Sequence, residues 1–144
     1  WKQINKAIDD HERGKKLRGA STISQQTAKN VFLFPSRNFV RKGLEAYFTV
    51  LIENIWGKRR IMEVYLNVAE MGRGIYGAQA AAECHFRKNA SKLTRQESCL
   101  IAACLPNPLK RNAGAPSGYV RGRAAMIQSL EAKLSYPEWV ASRK

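Results

Sequence analysis

Long apolar runs are absent from this 144-residue chain: the longest, Cys99–Leu105, has seven residues, far short of the ~20 that cross a bilayer as a helix. No membrane-spanning segment is expected within it. Cysteine is sparse. Cys84, Cys99 and Cys104 show no Cys-x-x-Cys spacing, and His11 and His85 are the only histidines, so no set at zinc spacing exists and no metal-ligating residue is assigned. Cys99 and Cys104 lie in the apolar run and read as core thiols. Strand signals are scarce as well, with no sustained alternation and no Asn-Gly or Asp-Gly turn. Acidic side chains are few: 11 Asp and Glu stand against 25 Lys and Arg, a formal charge of +14.

What remains is the composition of a globular domain, 44% hydrophobic and 25% charged. Disorder, collagen and coiled coil are excluded, and a chain of this length can bury roughly 70% of its unfolded surface. The positive charge is concentrated: residues 1–43 hold ten basic and three acidic residues. Such a balance exceeds what solubility requires and points to an anionic partner, whether nucleic acid, an acidic membrane surface or a phosphorylated ligand.

Helical spacing dominates. Leu44, Phe48, Leu51, Ile52 and Ile55 form one stripe that Gly57 ends. Ile61, Val64, Tyr65 and Val68 repeat the pattern up to about Gly72. Thr94 with Glu97 reads as a capping box opening a nearly all-apolar, central helix that Pro106 ends. Ser117 caps a last long helix through Val120, Ala124, Ile127, Leu130 and Leu134, closed by Pro137. Residues 106–118 make the longest loop and 34–38 a shorter one. The class that follows is all-α, in a single domain over residues 1–144.

Three segments can carry chemistry. Thr22 and Gln25 can form a capping box with Gly19 just before it, starting a helix near Ser21. Ser21, Gln25 and Lys29 then share a side, while Ile23, Thr27 and Val31 take the opposite, core-facing side. The row of hydroxyl, amide and ammonium suits a ligand with phosphate and sugar oxygens, at a helix start that attracts anions; it is equally what a capped surface helix shows water. The second segment is Arg37, Arg41, Lys42 and Glu45. Arg41 and Glu45 at i, i+4 can be a surface pair worth only ~0.3–0.5 kcal/mol, or a carboxylate among cations that grip a diphosphate, Arg bidentately and Lys as a point charge. Lys58-Arg59-Arg60, the third, reads as a solvated helix start.

These segments resemble a known family. Gly19-Ala20-Ser21-Thr22-Ile23-Ser24-Gln25-Gln26 is similar to the Gly-x-Ser-Thr-Ile-Thr/Ser-Gln-Gln signature of peptidoglycan glycosyltransferases. Arg41-Lys42-x-x-Glu45, with Glu53 later, looks like their Arg-Lys-x-x-Glu motif. Lys58-x-x-Ile61-Met62-Glu63-x-Tyr65-Leu66-Asn67, closing at Gly72, looks like a third, and Arg121-x-Arg123-x-x-Met126 sits where a looser basic motif is expected. The likeness runs from about Ile4 to Leu130. Pro106-Asn107-Pro108 and Ala115–Val120 most resemble the monofunctional biosynthetic branch of Gram-negative bacteria, and no Ser-x-x-Lys of a transpeptidase occurs.

The resemblance implies a lysozyme-like fold and polymerisation of lipid II by inverting transfer from a polyprenyl-diphosphate donor to a 4-hydroxyl. It implies that Ser21, Thr22, Gln25, Gln26, Lys29, Arg37, Arg41 and Lys42 bind substrate, and that Glu45 is the second essential carboxylate. Glu45 is assigned to orienting the cations, or a divalent Mg or Mn ion, around the diphosphate. A carboxylate packed among cations is a poor proton acceptor. No covalent cofactor is implied. The partners implied are lipid II, the growing glycan strand, an anionic membrane surface and cell-division or cell-wall synthesis proteins, with no nucleic acid. The expected place is the periplasmic face of a bacterial inner membrane, held by an N-terminal helix outside this sequence.

One family motif, Glu-Asp-x-x-Phe-x-x-His-x-Gly, is missing from residues 1–144, and His11-Glu12 does not replace it. Its Glu is the family's base. With Trp1 in place of an initiating Met, the sequence reads as an N-terminally incomplete domain, inactive by itself, whose base lies upstream. Other classes compete on the residues alone: a lysozyme-like enzyme that cleaves glycan, a basic helical nucleic-acid-binding module, or a scaffold without catalysis. A cleaving enzyme needs a protonated acid in an apolar pocket, which a glutamate among cations is not. A nucleic-acid module lacks a helix-turn-helix signature and stacking aromatics here.

Overall fold

The computed structural model describes residues 21–33 and 39–141. It is helical apart from one short hairpin: α1 (Ile23–Phe32), α2 (Phe39–Ile55), α3 (Gly57–Val68), β1 (Glu70–Gly72), β2 (Ile75–Tyr76), α4 (Ala78–Phe86), a 3₁₀ turn over Ala90–Lys92, α5 (Arg95–Cys104), α6 (Gly118–Glu131) and α7 (Glu138–Ala141). The expected all-α class holds. No helix among the described residues is long and apolar enough to cross a membrane.

Local chemistry places the helix starts. Thr22 accepts from the Gln25 N–H while the Gln25 side chain accepts from the Thr22 N–H, the reciprocal box expected for α1. Thr94 and Glu97 do the same for α5, and Ser117 accepts from the Val120 N–H to start α6. Each cap satisfies a donor that an open helix end leaves unpaired and is worth about 1 kcal/mol. Gly57 does not merely end α2: its φ of +68° turns the chain directly into α3.

Two apolar clusters share α3. Ala28 of α1, Ile52 of α2 and Ile61 of α3 form the first, with Phe48 and Trp56 against them. Phe32 stacks on Phe48 at a centroid distance of 4.7 Å and meets Trp56 at 6.0 Å. Tyr65, one turn beyond Ile61, enters the second and larger cluster with Met71 of β1, Ala81 of α4, Leu100, Ile101 and Cys104 of α5, and Val120 and Ala124 of α6. Alanines at 69, 81, 103, 113 and 124 let backbones approach closely in this cluster. Cys99 and Cys104 are buried thiols, as expected, and burial pushes both thiols up from their ordinary range.

Four expectations need correction. The long helix from Ser117 ends at Glu131, so Leu134 lies beyond it, and α7 follows Pro137. The helix through Tyr65 stops at Val68, not near Gly72, and antiparallel β1–β2 follows with a register irregularity between Glu70 and Gly72. α4 is a helix that the apolar spacing did not announce. In α1 the core side is Ser24, Thr27 and Ala28; Ile23 and Val31 are 40% exposed, so the face is rotated from Ile23–Thr27–Val31. Thr27 tolerates complete burial because its hydroxyl donates to the Ile23 carbonyl at 2.8 Å.

Candidate active site

Glu45 is the carboxylate the fold buries. It lies in the second turn of α2 and is 3% exposed. Lys42, one turn earlier, reaches it from the outside: Nζ is 2.7 Å from Oε1, and the lysine side chain itself is 61% exposed. A carboxylate taken out of water needs a partner to persist as an anion, and the i, i+3 position supplies one. The short contact therefore runs from Lys42, where the spacing had suggested Arg41; Arg41 is half-buried one turn before Glu45 on the same helix. Below Glu45, the Thr49 hydroxyl donates to the Glu45 carbonyl at 2.6 Å and lets a second polar residue sit inside α2.

α1 runs antiparallel to α2, since Phe32 meets Phe48 while Ser24 meets Glu53. The pair therefore has two polar ends. At one end, the Ser24 hydroxyl bonds the Glu53 carboxyl and, with Lys58 at 3.4 Å, holds it below the usual carboxylate range. Ser21, Thr22, Gln25 and Gln26 belong to this end. At the other end, Lys42 and Glu45 follow one turn beyond Phe48. Lys29, exposed and one turn before Phe32, lies in the half of α1 nearer Glu45. The ends are separated by Glu45-to-Glu53, about 12 Å of helix.

The expected binding residues thus divide. Lys42 and Glu45 are in direct contact. Ser21, Thr22, Gln25 and Gln26 form the start of α1, where part of their hydrogen bonding is already used: Gln25 Oε1 takes the Thr22 N–H at 3.0 Å and Gln26 Nε2 donates to the Ser21 carbonyl at 3.3 Å. Arg37 lies outside the described residues. Arg60 pairs with Glu63 at 2.9 Å with both side chains 56% exposed, the solvated helix start expected of that basic run. Among the described residues no group of three or more His, Cys, Asp or Glu stands close enough to hold a metal ion.

Sequence reading missed one concave feature. Gly72, Arg73 and Ile75 of the hairpin, Cys84, His85 and Arg87 around the end of α4, and Pro108–Asn112 with Gly114 and Ala115 line a cavity of about 570 Å³. Three stretches far apart in sequence build it, so no local spacing could reveal it.

Comparison with known proteins agrees with the motif reading. Residues 1–131 match the family model described as Transglycosylase. The chain is 57% identical over 125 residues to a biosynthetic peptidoglycan transglycosylase of Shewanella oneidensis, covering 87% of this chain and 54% of that protein. It is 52% identical over 145 residues to the protein of the same description from Pseudomonas entomophila, covering 98% and 61%. For the Escherichia coli O157:H7 protein the identity is 59% over 125 residues, covering 86% and 52%. The chain thus spans little more than half the length of these relatives. With its three ordered motifs and a family match over nearly its whole length, this chain belongs to the transglycosylase family.

Proposed function

We propose that this protein polymerises lipid II into glycan strands, transferring the growing glycan from a polyprenyl diphosphate to the 4-hydroxyl of a second lipid-linked unit with inversion at the sugar carbon. The observation that carries the reading is the buried Glu45 held by Lys42 beside a helix bearing Lys29. Inverting displacement has two needs. Negative charge grows on the departing diphosphate, and fixed donors aimed at such charge are worth about 3–4 kcal/mol each. Lys29, Arg37, Arg41 and Lys42 are the donors in this reading, and Glu45 fixes their directions. Ser21, Thr22, Gln25 and Gln26 receive donor sugar and phosphate oxygens. The acceptor proton goes to another carboxylate, the one the family's first motif supplies, worth typically about 10²–10⁴-fold.

A divalent Mg or Mn ion fits only in part. Glu45 is the one buried carboxylate of the site among the described residues, and it would hold such an ion by a single carboxylate, leaving the ion to neutralise diphosphate charge. The charge of +14 suits work against anionic lipid, and α2 turns exposed Val40, Leu44, Tyr47 and Ile55 outward where a lipid surface can meet them. The periplasmic membrane face, the growing strand and cell-wall synthesis proteins belong to the same reading.

The test is incubation of the protein, made from its complete reading frame, with lipid II in detergent or vesicles. Long glycan strands still linked to the last acceptor's polyprenyl diphosphate, with the donor's polyprenyl diphosphate set free, are the expected products. Soluble fragments cut from purified cell wall, without polymer from lipid II, overturn the reading in favour of a cleaving enzyme.

A further inference from the structure

The cavity between the hairpin, the end of α4 and the loop before α6 draws no residue from α1, α2 or α3. Its lining holds Arg73, Arg87, Lys110 and Arg111 and not one carboxylate. Arg73, Arg87 and Lys110 have no ion-pair partner among the described residues, whereas Lys88 pairs with Glu97 and Arg95 with Glu131 nearby. Four like charges brought to one concave wall repel each other unless an anion joins them. Ile75, Pro108 and Leu109 add apolar surface to the lining, and low-dielectric walls strengthen the field of the cations.

Two details make the cavity a built feature. Arg87 ends α4 with φ 53° and ψ 40°, the left-handed region that favours glycine, so a guanidinium is placed on the rim against backbone preference. The loop that carries Lys110 is held rigidly. Arg111 donates to the Ala103 carbonyl at 3.0 Å and lies 4.8 Å over the Tyr119 ring, and Asn112 Oδ1 accepts the Gly114 and Ala115 N–H groups at 2.8 and 3.1 Å. The volume, about 570 Å³, falls in the range of small-ligand sites.

We infer that this cavity binds a phosphoryl or diphosphate group, separately from the Glu45 site. The guanidinium forks of Arg73 and Arg87 and the Lys110 ammonium can meet the several anionic oxygens of a phosphate, with Arg111, held on Ala103 and Tyr119, adding charge to the wall, where a single carboxylate would leave most of them unsatisfied. The inference does not rest on the assignment of Glu45: a protein inactive on lipid II could still hold an anion here.

The experiment follows the backbone amides of Gly72, Arg87, Gly114 and Ala115 by NMR in the complete protein while inorganic pyrophosphate is added at constant ionic strength. Saturating shifts at these amides are expected. An Arg87→Gly, Lys110→Gln double variant should raise the apparent Kd at least about tenfold, and glycine suits the backbone at 87, so an unchanged spectrum elsewhere shows the fold intact. Shifts that rise linearly, that sodium chloride reproduces, or that persist undiminished in the double variant overturn the inference. Phosphatidylglycerol vesicles that displace pyrophosphate identify a lipid headgroup as the source of the phosphate. Vesicles that do not displace it leave a soluble phosphate as the ligand. Either result upholds a phosphoryl site.

Discussion

Lys42 holds the buried Glu45 carboxylate from an exposed position one turn away on the same helix, 2.7 Å from Nζ to Oε1. The arrangement is asymmetric. The acid has left water and the base has not, so the pair costs more to break at the lysine than a surface pair does. Lys42→Met strands a buried anion and should lower stability by about 1–2 kcal/mol, below the cost of a fully buried pair because Lys42 is largely wet. Combining it with Glu45→Gln should recover part of that loss. Denaturant unfolding of the two single variants and the double gives the coupling directly, and a coupling under about 0.5 kcal/mol contradicts the account.

Gly77 should resist substitution. It adopts φ 85° and ψ 158°, and a Cβ there would lie 2.6 Å from the Asn67 carbonyl oxygen. Its N–H also donates to the Ala69 carbonyl at 2.9 Å, closing the hairpin onto the end of α3. Gly77→Ala should cost about 3 kcal/mol or more through strain and displacement of the hairpin, read as a drop in Tm with loss of the β1–β2 amide pattern.

Arg87 predicts the opposite sign. Replacing a side chain in the left-handed region with glycine removes a steric penalty, so Arg87→Gly should stabilise the fold by about 0.5–1 kcal/mol. Arg87→Val should destabilise it. Thermal melts of both variants against the parent decide the matter, and an unchanged or lower Tm for the glycine variant counts against the helix ending as described.

His85 sets a pH dependence. Burial pushes its imidazole below the ordinary value of 6.5, and Nε2 finds no partner at hydrogen-bonding geometry among the described residues, the Met71 backbone offsetting only part of the effect. The folded state therefore binds its proton less readily than the unfolded chain does. Above pH 6.5 both are neutral and the stability is fully present; as pH falls from 6.5 towards the lower folded value, the unfolded state gains protons and stability is lost. Glu53, held down first by Ser24, and Glu97, held down first by Lys88, add a second loss at lower pH, as the medium falls below 4.5 towards their depressed folded values. A His85→Asn variant should lose the upper step and keep the lower one in a series of melts between pH 7.5 and 3.5; an upper step that survives assigns it elsewhere.

How much of this was legible follows from which signals are local. Thr22 with Gln25 and Thr94 with Glu97 are four-residue patterns, and the helices begin where they say. The α2 stripe is a periodicity, and its Phe48 and Ile52 do reach the core, while Leu44 and Ile55 at its ends stay exposed. α4 carries four alanines in nine residues, too small to stand out as an apolar stripe, yet Ala81 and Ala82 are completely buried because backbones pack closely there. The hairpin was hidden because two or three residues per strand cannot alternate long enough to be seen. In α1 the face was misjudged by weighting Ile23 and Val31 over Ser24 and Ala28; small residues win the core side because α1 lies against both α2 and α3. Glu45 among the cations of one helix was readable, although the spacing pointed to Arg41 and the short contact comes from Lys42; the cationic cavity needed the chain folded back from residue 110 to residue 73.

The account turns on Glu45 as the group that fixes the cations of the diphosphate site. Glycan polymerisation from lipid II by Glu45→Gln, assayed in the protein made from its complete reading frame, tests that most directly. The amide fills the same space, so the fold should persist by circular dichroism while turnover falls about a hundredfold or more. A variant that melts like the parent and polymerises at a near-normal rate contradicts the role given to Glu45.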